Sequence, residues 1–189
     1  MLYLKAGTII FQSLKKQESF HCAVNASSRF EQSTALTCTI NHVGLYVGND
    51  SVIEATRGYG VIERTLSNFL SDGCYHLAAI IKDSALAKLA MTKAYGYLGL
   101  PYNHSFEPNG AGLYCSELII EAFSYPNGQH YFQLYPMNFG DIVTKQILPY
   151  WIEYYRSLGR VIPQGTLGSN PQQLLRQTSL YDSVFPIIR

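Results

Sequence analysis

The chain has 189 residues, 47% hydrophobic and 14% charged, a composition that fits one domain with an ordinary core and carries no sign of disorder. With 14 basic and 13 acidic residues the net charge is +1, so nothing electrostatic argues for nucleic acid or an anionic membrane as a partner. The start, Met-Leu-Tyr-Leu-Lys, lacks a basic n-region before a long apolar run, and no stretch approaches the roughly 18 apolar residues of a spanning helix. A cytoplasmic chain without an integral membrane segment is the expectation.

Strand signals crowd the first half. Thr8 to Gln12 is β-branched and aromatic, and His42 to Gly48 alternates up to Asn49-Asp50, a turn signal after which Ser51 to Thr56 restarts as the second arm of a hairpin. Val61 to Leu66 and Cys74 to Ile81 read as a third and fourth strand of an antiparallel meander. Between Ser13 and Thr39 the polar composition predicts a long loop with room for one helical turn. Helix signals follow. Asp83 or Ser84 can cap a run from Ala85 to Tyr97; a second helix opens near Cys115 and stops before Pro126; a third follows Pro149 and ends at Gly159. The stretch 163–189, rich in Gly, Pro, Gln and Ser, predicts an irregular surface tail on a single domain spanning 1–189.

Fifteen tyrosines and nine phenylalanines point to an aromatic core or an aromatic-lined groove, the core being the commoner use. Four cysteines, Cys22, Cys38, Cys74 and Cys115, include no C-x-x-C pair. Three of them read as small buried or half-buried apolar groups. Cys38 and His42, or His21 and Cys22, could start a zinc site, but neither has a second pair at finger-like spacing, so no metal is expected. No phosphate loop, dinucleotide fingerprint or serine-nucleophile elbow is present, and no cofactor is expected.

Cys115 differs from the other three by its position at a helix mouth, where unpaired N–H groups favour negative charge, and thiolate is the nucleophilic form. His42 opens a central strand, and Glu54 interrupts the otherwise buriable Ser-Val-Ile-Glu-Ala-Thr. Taken singly, a helix-start cysteine and a strand histidine are more often structural than catalytic; a carboxylate in a buriable strand needs a partner. Pairing about the turn centre sets Glu54 opposite Leu45 or Tyr46, so contact with His42 needs a register offset or a longer reach.

The order AGTIIFQ, INHVGLYVGNDSVIEATRGYGVIERTL and LGLPYNHSFEPNGAGLYCSELIIEAF, followed by PMNFGDIV and PYWIEYYRSLGRVIPQGTLGSNP, resembles the YiiX/YaeF-type branch of the NlpC-like papain superfamily over nearly the whole chain. The most specific elements are His-Val-Gly-x-Tyr-x-Gly and Pro-Tyr, twelve residues, Cys-Ser-Glu-Leu. The resemblance implies an α+β, circularly permuted papain-like fold, an antiparallel sheet or open barrel packed against helices with the nucleophile at a helix N-terminus. It implies Cys115 as nucleophile, His42 as base, Glu54 as orienting carboxylate, and Tyr102 with the Cys115 N–H as oxyanion donors. Gly7-Thr8 departs from the Gly-Asp of many relatives, and many relatives carry an export signal not seen here.

The expected activity is hydrolysis of an amide in a small peptide or amino-acid conjugate through an acyl-enzyme. Two rivals stand beside it. One is a lipid-directed acyltransferase or thioesterase related to the lecithin retinol acyltransferase group, acting on a lipid-linked substrate; the other is a binding relative without catalysis. The stretch Ser13 to Cys38 and the loop Phe106 to Leu113 are expected to cover the cleft.

Overall fold

The computed structural model describes residues 4–16, 19–28 and 39–188. In chain order its first half holds β1 (Thr8–Leu14), α1 (Ser19–Ser28), β2 (His42–Gly48), β3 (Ser51–Thr56), β4 (Gly60–Thr65), α2 (Leu66–Asp72) and β5 (Gly73–Ile81). The second half holds α3 (Ser84–Gly96), α4 (Cys115–Ala122), β6 (Tyr135–Pro136), α5 (Pro149–Leu158), β7 (Leu167–Gly168), α6 (Pro171–Leu175) and β8 (Tyr181–Pro186).

Six strands form one antiparallel sheet in the order β4-β3-β2-β1-β5-β8. β1 is central and buried on both faces, which is why it reads as the unbroken apolar run Thr-Ile-Ile-Phe rather than as an alternation. On one face Ile9, Phe11, Val43, Leu45 and Ile53 meet Leu118, Ile119 and Ala122 of α4 and Leu86 and Ala90 of α3. On the other face Ile10, Val52 and Ala78 meet Leu66, Phe69 and Leu70 of α2. Each fully buried aliphatic side chain in these layers is worth about 1.5–3 kcal/mol of transfer free energy.

Two expectations about connectivity are corrected. The sheet is not a simple meander, because β5 pairs with β1 instead of β4. The chain reaches β1 through α2, opened by Thr65, whose hydroxyl accepts from the Asn68 N–H at 3.2 Å. The tail is not irregular either: Tyr181–Pro186 adds the edge strand β8 to β5, with Ala79 opposite Val184. Its Pro-, Gly- and Gln-rich composition masked a short strand whose stability comes from a neighbour far away in sequence.

The polar stretch after β1 carries the ten-residue helix α1 where one turn was expected. Phe20 and Ala23 of α1 pack on Trp151 and Tyr155 of α5 in a third apolar cluster, so tertiary contacts outweigh its weak helical signals. Asp83 caps α3 as expected, its carboxylate accepting the Leu86 N–H at 2.9 Å. Cys22 and Cys74 are exposed, contrary to the expectation that they are buried or half-buried; Cys38 lies outside the described residues. Among the described residues no helix is long and apolar enough to cross a membrane.

Candidate active site

The hairpin β2–β3 determines where Glu54 points. Asn49 and Asp50 have φ of 49° and 60°, the positive values that a two-residue type I′ turn requires. An unbroken ladder from that turn would set Glu54 opposite Leu45. A bulge between Tyr46 and Gly48 shifts the register by one, so Glu54 stands opposite Gly44. Side chains alternate faces along a strand, so this one-residue shift brings Glu54 to the face that His42 and Gly44 share. The Glu54 carboxylate lies 2.5 Å from His42 Nε2.

Gly44 between them has a steric reason. A Cβ there would come within 2.8 Å of the Phe69 ring and of Val52. Phe69 of α2 fills that space and rests against the imidazole, with ring centroids 5.9 Å apart. Arg64 of β4 then donates to the second Glu54 oxygen at 3.0 Å and to Asp72 at 2.8 Å. Glu54 is 1% exposed and receives both partners, which answers the question its buried position raises. Burial alone would raise its carboxyl; the hydrogen bond and charge of His42, with Arg64 behind, hold it below the usual carboxylate range.

Cys115 is the first residue of α4, and the helix start is organised around it. Tyr114 is the N-cap in extended conformation, and the Glu117 carboxylate three residues on reaches back to accept the Tyr114 N–H at 3.2 Å. The Tyr114 hydroxyl is used elsewhere, accepting the Ser169 N–H at 3.3 Å. Burial raises Glu117 to about 7 despite hydrogen bonds from Asn103 and the Tyr114 backbone. Tyr102 is brought beside Cys115 by a close chain crossing. The Leu113 N–H donates to the Pro101 carbonyl at 3.1 Å, and Gly112 lies so near that carbonyl that a Cβ would collide with it.

His42 hydrogen-bonds both Glu54 and Cys115. With Nε2 on the carboxylate, Nδ1 is the ring nitrogen left for the sulfur. Burial lowers the imidazole, but the hydrogen bonds and negative charges of Cys115 and Glu54 outweigh it and raise His42 to about 10. A shift in that direction favours the imidazolium over the neutral ring. Burial, then the Cys115 charge, pushes the Tyr102 hydroxyl well above its ordinary range.

Two cavities meet at Cys115. One, about 590 Å³ including its open mouth, is lined by Phe106, Met137, Phe139, Trp151 and Pro171. The other is polar and holds His42, Glu54, Arg57, Arg64 and Asp72. Phe20, Asn41, Tyr102 and Cys115 line both. Phe20 comes from α1 and Phe106 from the loop before α4, so both segments expected over the cleft contribute a side chain to it. The four residues singled out from the sequence, Cys115, His42, Glu54 and Tyr102, thus border one cavity. Sequence reasoning missed Arg64, Phe69 and Arg57. The first carried a usable signal, since a buriable Glu on β3 calls for a cation on the neighbouring strand.

An antiparallel sheet carrying a histidine, packed on a helix that begins with a cysteine, is a papain-like architecture, here with the histidine strand preceding the cysteine helix in the chain. The chain belongs to the family described as "Permuted papain-like amidase enzyme, YaeF/YiiX, C92 family", whose profile matches residues 3–182. At that level it stands among cysteine hydrolases. A solved structure titled "Crystal structure of metalloprotein yiiX from Escherichia coli O157:H7, DUF1105" superposes with a TM-score of 0.72 at 18% identity, over 98% of this chain and 97% of that one. The likeness establishes the shared fold. No curated protein matched the chain. That title calls the neighbour a metalloprotein; among the described residues of this chain no group of three or more His, Cys, Asp or Glu side chains is placed to hold a metal ion. The donor set at Cys115 is committed to hydrogen bonding.

Proposed function

We propose that the chain is a cysteine-dependent amide hydrolase acting on a small peptide or amino-acid conjugate. The observation that carries this reading is the imidazole of His42, bonded on one side to Glu54 at 2.5 Å and on the other to Cys115 at the head of a helix. The Cys115 thiolate attacks the amide carbon, and the C=O electron pair moves onto oxygen. The Tyr102 hydroxyl and the Cys115 N–H receive that oxyanion. As the intermediate collapses the C–N bond breaks, and His42 gives its proton to the departing nitrogen. A water then attacks the thioester while His42 takes a proton from it, and expulsion of the thiolate restores the ion pair. Glu54 acts through His42 by keeping Nε2 occupied and the ring oriented.

The aromatic cavity beside Cys115 supports an apolar group on one side of the scissile bond. The same cavity supports the second reading, a thioesterase or acyltransferase using the same cysteine and histidine. A panel pairing amide with thioester of one acyl group separates the two readings by the ratio of kcat/KM. Cys115→Ala is expected to abolish turnover of every active member while keeping the far-UV circular dichroism of the parent. Full activity in that variant removes the mechanism. Cys115 is also expected to be alkylated by iodoacetamide faster than the exposed Cys22 and Cys74 near neutral pH, because exposure alone does not make a thiolate.

A further inference from the structure

The polar cavity holds two arginines in very different circumstances. Arg64 is neutralised, with Glu54 at 3.0 Å and Asp72 at 2.8 Å. Arg57, at the turn end of β3, enters no ion pair among the described residues. Its guanidinium lies over the Phe20 ring at 4.3 Å and near the Tyr154 ring at 5.6 Å, and the residue lines the cavity. Tyr154 supplies its one side-chain hydrogen bond, a neutral one, and Nε is buried with no partner.

The ion-pair contacts of the cavity set Arg57 apart. Glu54 contacts both His42 and Arg64, and Asp72 contacts Arg64. Of these charged side chains Arg57 has no charged group in contact, and it shares its cavity with Cys115. A planar guanidinium resting on an aromatic ring, with no charged partner and Nε unpaired, suits a carboxylate, which it can meet with two parallel hydrogen bonds.

We propose that Arg57 is a carboxylate subsite. The part of the substrate lying in the polar cavity carries a free carboxylate, while the apolar part occupies the aromatic cavity across Cys115. The substrate is then an amphiphilic amide acid. This rests on the reading of Cys115 as the reactive thiolate, and the test has two arms so that the two claims fail separately.

The first arm needs no turnover. Alkylation of Cys115 is followed by peptide mass spectrometry with matched reagents, iodoacetate against iodoacetamide and 3-maleimidopropionate against N-ethylmaleimide. The anionic-to-neutral rate ratio is expected to fall at least fivefold in Arg57→Gln and to be largely kept in Arg57→Lys, which preserves the charge. The second arm compares N-octanoyl-alanine with N-octanoyl-alaninamide by kcat/KM. The acid is expected to be preferred at least tenfold, with Arg57→Gln erasing most of the preference. An unchanged anionic-to-neutral ratio in Arg57→Gln overturns the subsite even if both amides are cleaved. A fall in acid and amide turnover by the same factor assigns Arg57 to holding α1 through Phe20 and overturns it too. If neither amide is cleaved but the alkylation ratio falls as expected, the subsite stands and amide hydrolysis does not.

Discussion

Glu54 stands opposite Gly44, not Leu45, and that single register step brings its carboxylate within 2.5 Å of the His42 ring. The bulge that produces the step follows a turn whose two residues both have positive φ. The consequence is a chain of polar contacts running from the exposed Asp72 through Arg64 to the buried Glu54, His42 and Cys115.

Removing Glu54 therefore has separable effects. Glu54→Gln keeps the shape and one hydrogen bond but loses the charge, and kcat/KM on an established substrate is expected to fall by about 10²-fold. Glu54→Ala also strands Arg64 and His42, and its urea denaturation is expected to show a loss of about 3 kcal/mol. Parent-like kinetics in Glu54→Gln would remove Glu54 from the reaction.

The pH dependence follows from His42. Its folded pKa is raised above the ordinary 6.5 to about 10, so the imidazolium contacts stabilise the fold fully below pH 6.5 and are lost as pH rises through about 10. The alkaline limb of kcat is expected near that upper value, where His42 gives up the proton the leaving nitrogen needs. Glu54→Gln should move the limb down by about one pH unit, since a negative neighbour is gone. A limb that stays in place in the variant assigns it to another group.

Glu117 has the same sign and a different window. Its carboxyl is raised from 4.5 to about 7 by burial, so its contribution to stability is greatest below pH 4.5 and is lost as pH rises through about 7. Glu117→Gln is expected to be more stable than the parent at pH 8, on the order of 1 kcal/mol after allowing for partial exposure, with the gain vanishing near pH 4.5. Thermal unfolding at the two pH values reads this directly. An equal loss at both would mean that the cap on Tyr114, not the charge, dominates.

Gly112 carries the crossing that sets Tyr102 beside Cys115. A Cβ there meets the Pro101 carbonyl, a backbone atom that cannot swing aside. Gly112→Ala is expected to cost about 3 kcal/mol, whereas Gly58→Ala, with nothing within 4 Å of its Cβ, should be near neutral. Comparable melting temperatures for the two variants would deny the crossing its role.

What the sequence determined by itself was local. The strand over His42 to Gly48, the capped run behind Asp83 and the helix opening at Cys115 rest on short-range signals, and each appears where it was expected. Their order along the chain also carried the family resemblance. Tertiary structure decided the rest, because it depends on partners distant in sequence. Tyr181 to Pro186 becomes a strand only because β5 offers an edge. Ser19 to Ser28 becomes a helix only because Trp151 and Tyr155 offer Phe20 a place to bury. The face on which Glu54 emerges turns on one extra residue in β2, a change of register that no propensity records, since alternation reads the same on either side of the step.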